Sequence, residues 1–335
     1  MKSLLSKNIL ITGGLGFIGS NLARRLVNSG ASVTLLDNLY PNYGGNLFNI
    51  NDFEDKVNVI IGDVRDSDLV NKLVKNKDYL FNLAGQTSHL DSMENPFDDL
   101  EINSKAQLSI LEACKNYNTD IKIVFTSTRQ IYGKPDYLPV DETHSIKPVD
   151  VNGINKYSGE SFHTLYNHIY GIKSAILRLT NTYGPGMRIK DSRQTFLGVW
   201  IRNALKSEPL LIYGDGLQLR DFNYVDDVVD ALLLVALDDE SNGDIFNLGS
   251  DQVVNLVDLS KIFRDINPEI ETRLVKFPDK LKKIDIGDYY GNFSKINNKF
   301  KWKPKVSLEE GLRVSLAYYG KNLNYFLENK NDLLQ

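Results

Sequence analysis

Short runs of apolar, β-branched residues alternate with longer stretches that are apolar at three- and four-residue spacing along the first half of the chain. NILIT (8–12), SVTLLD (32–37), VNVIIGD (57–63), YLFNLAG (79–85) and KIVFTS (122–127) are the runs, and NLARRLVNSG (21–30) and AQLSILEACKNY (106–117) have the helical spacing. Strands apolar on both faces and separated by helices predict a doubly wound, parallel α/β sheet of the Rossmann type. SAILRLTN (174–181) and DIFNLGS (244–250) read as later strands of that sheet. Past residue 181 Gly, Pro and Tyr rise and the spacing loses its regularity. This predicts a dinucleotide-binding domain over 1–180, with 217–250 returning to it, and a smaller substrate-binding lobe over 181–216 and 251–335. Ser307 with Glu310 three residues on forms a capping box, so a last helix is expected to start there, and the tail KNDLLQ to fray.

The first strand runs directly into GGLGFIGS, in which Gly13, Gly16 and Gly19 hold the spacing of a phosphate-binding turn opening a helix. Glycines let the backbone approach a pyrophosphate, whose charge then meets the free N–H groups of the helix. Asp37 ends the second strand 18 residues after Gly19, placed to accept hydrogen bonds from ribose hydroxyls. An acid there repels a 2′-phosphate, and Asn38 and Leu39 supply no cation, so NAD is expected rather than NADP. Asp63, at the end of the third strand, is a candidate for the adenine amino group or a simple cap.

Composition narrows the partners. A formal charge of −4 over 335 residues gives no basic footprint for nucleic acid. No apolar run reaches the roughly 20 residues of a membrane span, and the N-terminus has no secretory pattern, so a cytoplasmic protein is expected. Cys114 is alone and reads as core. His144, His163 and His168 do not pair at metal-ligand spacing, and no metal is expected.

With LAGQ (83–86), TSTRQIYG (126–133), LRLTNTYGP (177–185), YGDGLQLRDFNYVDDVVDAL (213–232) and WKPKVSLEEGL (302–312), these features resemble the extended short-chain dehydrogenase/reductase family. Nucleotide-sugar epimerases and dehydratases are among its members, and LAGQTSHLDSMENPFDDLEIN is most similar to sugar 2-epimerases. The resemblance implies bound NAD, a nucleotide-sugar substrate, a homodimer built through helices near 106–117 and 152–170, and oxidation of a sugar carbon to a transient ketone. It puts Phe17, Ile18, Val64, Leu83, Ala84, Gly85, Lys156 and Tyr183 on the cofactor beside the residues already named. Gln86, Asn181, Arg188, Thr195, Tyr213 and Arg220 fall on the substrate, Arg220 as the clamp on the diphosphate.

Such a family supplies a hydroxyl, a tyrosine and a lysine. Thr128 and Lys156 match the first and last. Four residues before Lys156, however, stands Asn152, whose amide takes up no proton near neutral pH and cannot be the general base. Three explanations stay open: a relocated base, with His89 the candidate; a base not placed by the motif, such as Asp91 or a carboxylate of the substrate; or loss of turnover, leaving a binding protein. A second departure is Asp285, standing where the family has an arginine, for which Arg188 or Arg193 is expected to compensate. Arg129-Gln130 stands where dehydratases of the family carry an Asp-Glu pair, so epimerisation is favoured over dehydration.

Overall fold

Residues 4–327 are described by the computed structural model, and the KNDLLQ tail lies outside them. Strands β1 (Asn8–Thr12), β2 (Ser32–Asp37), β3 (Val57–Ile61), β4 (Tyr79–Asn82), β5 (Lys122–Thr128) and β6 (Ser174–Leu179) alternate with helices. These are α1 (Phe17–Asn28), α2 (Ser67–Leu73), α3 (His89–Glu94), α4 (Pro96–Leu100), α5 (Ala106–Tyr117) and α6 (Val151–Tyr170). There follow β7 (Asn181–Tyr183), α7 (Phe196–Leu205), β8 (Leu210–Tyr213), β9 (Leu219–Tyr224), α8 (Val225–Leu237) and β10 (Ile245–Asn247). The chain ends through β11 (Val253–Asn255), α9 (Leu256–Ile266), β12 (Thr272–Val275), α10 (Asp279–Lys282), α11 (Ser294–Phe300) and α12 (Leu308–Leu327).

Seven strands pair in parallel in the order β10-β6-β5-β4-β1-β2-β3. Alternate residues of one strand serve two cores. Ile9, Ile11, Phe81 and Val124 pack with Leu22 and Leu26 of α1 and Val228 and Leu232 of α8. Leu10, Leu80 and Ile123 pack on the other face with Ile110, Leu111 and Cys114 of α5. Burial raises the Cys114 thiol to about 12, which leaves it an inert core residue.

The chain reverses direction along the sheet between β1 and β4, and a crevice opens there at the carboxyl ends of the strands. Two expected strands are shorter than their apolar runs: β3 stops at Ile61 and β4 at Asn82, and Gly62–Val64 and Leu83–Gly85 leave the sheet to border the crevice. The 217–250 segment is divided. Its β9 pairs with β7 and β11 in a small sheet, whereas β10 joins β6 at the edge of the large one. The backbone N–H of Glu310 donates to Ser307 Oγ (3.2 Å), the capping contact expected at the start of α12.

Candidate active site

The cleft at this crevice is bordered by residues from the β1–α1 turn through Thr195. Its floor is the glycine turn. Gly13 has φ +68°, and a Cβ on Gly19 would stand 2.3 Å from the Gly13 carbonyl oxygen. Gly16 precedes α1 without a side-chain cap, leaving the first N–H groups of the helix to a ligand. A close-approach turn at a positive helix end fits a pyrophosphate. Asp37 accepts the Leu15 and Leu39 N–H groups (3.1 and 2.9 Å). Burial pushes its carboxyl above the ordinary range, with these N–H bonds opposing the rise. No ion pair engages it among the described residues, so acceptor positions remain for ribose hydroxyls.

Gly13, Gly16, Phe17, Ile18, Gly19, Asp37, Asn38, Asp63, Val64, Leu83, Ala84 and Gly85 all border the cleft, as does Lys156. Asp63 is nevertheless fully engaged: Oδ1 accepts the backbone N–H and Nε of Arg65, and Oδ2 accepts Arg65 Nη2 and Asn38 Nδ2. Burial raises its carboxyl, but these bonds outweigh that and hold it below the usual range. An adenine amino group would have to displace one of them. Tyr183 is a correction. Its ring is buried in the core against Phe222 and Tyr224, and its hydroxyl donates to the Leu308 carbonyl (3.3 Å), so it does not face the cleft.

Thr128, Lys156, Asn152 and His89 reach this cleft from four positions: the end of β5, two turns of α6 and the first residue of α3. The Lys156 ammonium lies 4.7 Å from the Phe125 ring centre. Burial lowers its pKa to about 8, with Asp99 and Glu160 opposing the drop. Asn152 is occupied on its donor side: Nδ2 donates to the Gln86 carbonyl (2.8 Å) and to Asp99 Oδ2 (3.0 Å), and Asn155 Nδ2 holds Asp99 Oδ1 (2.8 Å). The residue in the tyrosine place is therefore part of the support of a buried carboxylate.

His89 has a partner that the sequence pattern does not reveal. Its Nδ1 lies 3.0 Å from Oδ2 of Asp150, whose side chain is fully buried. Asp150 is itself fixed, capping α6 through the Gly153 N–H (2.7 Å) and accepting Gln130 Nε2 (2.8 Å). Burial alone would raise the Asp150 carboxyl; the bonds and charge of His89, with Gly153 and Gln130, keep it below the ordinary range. The two atoms stand at ion-pair distance, but Nδ1 makes no hydrogen bond of good geometry to Asp150, so the pairing is electrostatic and places the ring without setting its tautomer. Asp91, the other candidate base, is paired with Arg193 (2.8 Å).

On the substrate side Gln86, Asn181 and Thr195 border the cleft, while Arg188, Tyr213 and Arg220 do not. Arg188 is held by Asp191 (2.6 Å) and the Pro41 and Tyr43 carbonyls, a brace between two loops. Tyr213 packs on Phe277 (5.7 Å between ring centres). Arg220 is buried, bonded to the Leu219 and Gly287 carbonyls and paired with Asp285 (3.3 Å). The acid at the arginine place thus neutralises the expected clamp, and Arg193, tied to Asp91 and Asp191, offers no replacement. Arg129 borders the cleft instead, together with Tyr40, Tyr43, Thr182 and Gln194. An Asp directly before an apolar-periodic helix signals a cap, so Asp150 was accessible as a cap but not as a histidine partner.

Residues 9–249 match the model of the NAD dependent epimerase/dehydratase family. The chain is 38% identical to a putative UDP-glucose 4-epimerase of Methanocaldococcus jannaschii over 316 residues, covering 94% of this chain and 99% of that one. It is 29% identical to the CDP-paratose 2-epimerase of Salmonella typhi, over 91% of this chain and 97% of that protein. Among solved structures, the UDP-glucose 4-epimerase of Thermotoga maritima with UDP-glucose superposes with a TM-score of 0.86 at 31% identity, covering 94% and 99% of the two chains. With the family's glycine turn, acid and lysine gathered in one cleft, the chain belongs to the NAD-dependent epimerase/dehydratase family and takes NAD as its cofactor.

Proposed function

We propose that the protein is a nucleotide-sugar epimerase that works through a transient keto-sugar, with His89 in place of the missing phenol. The observation that carries this reading is the His89–Asp150 pair, whose imidazole borders the same cleft as Thr128 and Lys156. Bound NAD supplies reversible hydride acceptance. The glycine turn at Gly13, Gly16 and Gly19 holds its pyrophosphate, Asp37 a ribose, and Lys156 the hydroxyls of the nicotinamide ribose. Thr128 Oγ hydrogen-bonds the reacting sugar hydroxyl and orients it. His89 Nε2 takes the hydroxyl proton as the ketone forms and returns it on reduction, while Asp150 steadies the imidazolium. Asn152 keeps Gln86 and Asp99 in place around the sugar. Gln86, Asn181 and Thr195 contact the nucleotide sugar.

A second reading, a protein that binds NAD and a nucleotide sugar without turnover, draws on Asn152 alone, an amide with no proton to exchange. One experiment separates the two. Purified protein is incubated with uridine-, thymidine-, cytidine- and guanosine-diphosphate hexoses, and sugar stereochemistry is followed by NMR alongside the absorbance of reduced nicotinamide. Interconversion of any one pair of epimers is expected. Binding of NAD and sugar with no cofactor reduction and no new epimer across the panel supports the silent reading instead.

A further inference from the structure

We propose that Arg129 is a receptor for an oxyanion of the substrate, supplied by a carboxylate on the sugar or by the diphosphate. This rests on the nucleotide-sugar reading and narrows it. Arg129 follows Thr128 at the end of β5, is half-buried and borders the cleft. Its Nη2 donates to Asn181 Oδ1 (3.0 Å) and its guanidinium lies 5.2 Å from the Tyr289 ring centre. Nη1 is buried with no hydrogen-bond partner, and no carboxylate pairs with the side chain among the described residues.

Asp221 and Asp285 lie near enough to favour its charge, but neither pairs with it. Asp285 is paired with Arg220, and Asp221 is held by the Thr180 hydroxyl and the Gly291 N–H (3.0 Å). Arg188, Arg193 and Arg220 each have a carboxylate partner. Arg129 and Lys156 are the Arg and Lys side chains that border the cleft. A guanidinium N–H shut off from water without an acceptor is costly, and the planar fork matches a carboxylate or phosphate in two parallel bonds. A neutral hexose would leave that requirement unmet. Because Arg129 adjoins Thr128, where the reacting hydroxyl is expected, an acidic sugar such as a uronate meets it most directly.

The test measures calorimetric binding of UDP, UDP-glucose and UDP-glucuronic acid to NAD-loaded wild-type protein and to the Arg129→Met and Arg129→Lys variants, with matching thymidine, cytidine and guanosine diphosphates if uridine is not the base. A hydrogen-bonded charge partner makes a loss of at least about tenfold the expected effect. With a sugar carboxylate as the source, Arg129→Met loses affinity for the uronate alone; with the diphosphate, all three ligands weaken together. Both results support the receptor. Wild-type binding with all three ligands within about twofold in Arg129→Met overturns it and leaves the nucleotide-sugar reading standing. No binding of any nucleotide by wild type overturns both. Thermal melts without ligand serve as the control: Arg129→Met is expected to melt no lower than wild type, since it removes a donor that is shut off from water without an acceptor. Should that variant fail to fold, Arg129→Lys carries the test, because a lysine keeps the charge and loses the fork.

Discussion

At the scale of single residues the site turns on one exchange: an amide stands in the phenol's place, and an imidazole with a buried carboxylate faces the same cleft. His89→Ala is expected to lower kcat by roughly 10²- to 10⁴-fold, the usual contribution of a positioned acid–base group, with little change in KM; steady-state kinetics on the epimerised sugar check this. Asp150 can be tested separately, because asparagine also caps helices and Asp150→Asn keeps the start of α6 while removing the charge. The Asp150 carboxyl is held below its ordinary 3.8 in the folded protein, so it contributes stability above that value that is lost as pH falls through the lowered one. Thermal melts should therefore show Asp150→Asn less stable than wild type at neutral pH, with the gap closing on acidification. Restoring the family tyrosine is expected to fail. Asn152→Tyr removes the donor shared by the Gln86 carbonyl and Asp99, and a buried acceptor left unsatisfied costs about 1–3 kcal/mol. A lower urea midpoint without gain of turnover is the expected outcome.

Among the elements, the turn between β1 and α1 tolerates little. A methyl group on Gly19 meets the Gly13 carbonyl oxygen at 2.3 Å and Gly14 Cα at 2.9 Å, both backbone, so relief requires moving the loop itself. Gly19→Ala is expected to purify folded but with its bound NAD largely lost, measured by cofactor content and calorimetry. This turn was legible in the sequence because its requirements are local: glycine spacing, a strand before and a helix after. The strands of the parallel sheet were legible for the same reason, since burial on both faces leaves continuous apolar runs such as SVTLLD. Tyr183 was not, because its burial depends on α12, more than a hundred residues away in the chain. Arg220 is drawn away from its expected place on the substrate by Asp285, a contact between β9 and a distant loop that no spacing within either segment encodes.

For the whole molecule, the segment leading to α12 is tied to α8 by backbone bonds to one buried acid. Asp227 of α8 accepts the N–H groups of Lys305 and Val306 (3.0 and 3.2 Å), and its carbonyl accepts the Trp302 indole N–H (2.9 Å), which fixes the approach to α12. The outer side of α6 has no such cover. Ile154, Tyr157, Leu165 and Ile169 are exposed at helical spacing along one stripe, with Leu100 and Phe97 of α4 also exposed. Large apolar side chains are worth about 1.5–3 kcal/mol each when buried, and a two-fold contact between copies would cover each one twice. The exposed residues of α5 are instead Asn116 and Tyr117 at its end, so the contact expected from two helices falls mainly on α6. A second copy of this chain is the proposed occupant. Light scattering with size exclusion should give a dimer for wild type and a monomer for Leu165→Glu with Ile169→Glu. The double variant should keep its melting temperature within a few degrees at low protein concentration, because both positions lie outside the two cores. A wild-type protein that stays monomeric at all concentrations would show that this stripe does not bind its own kind.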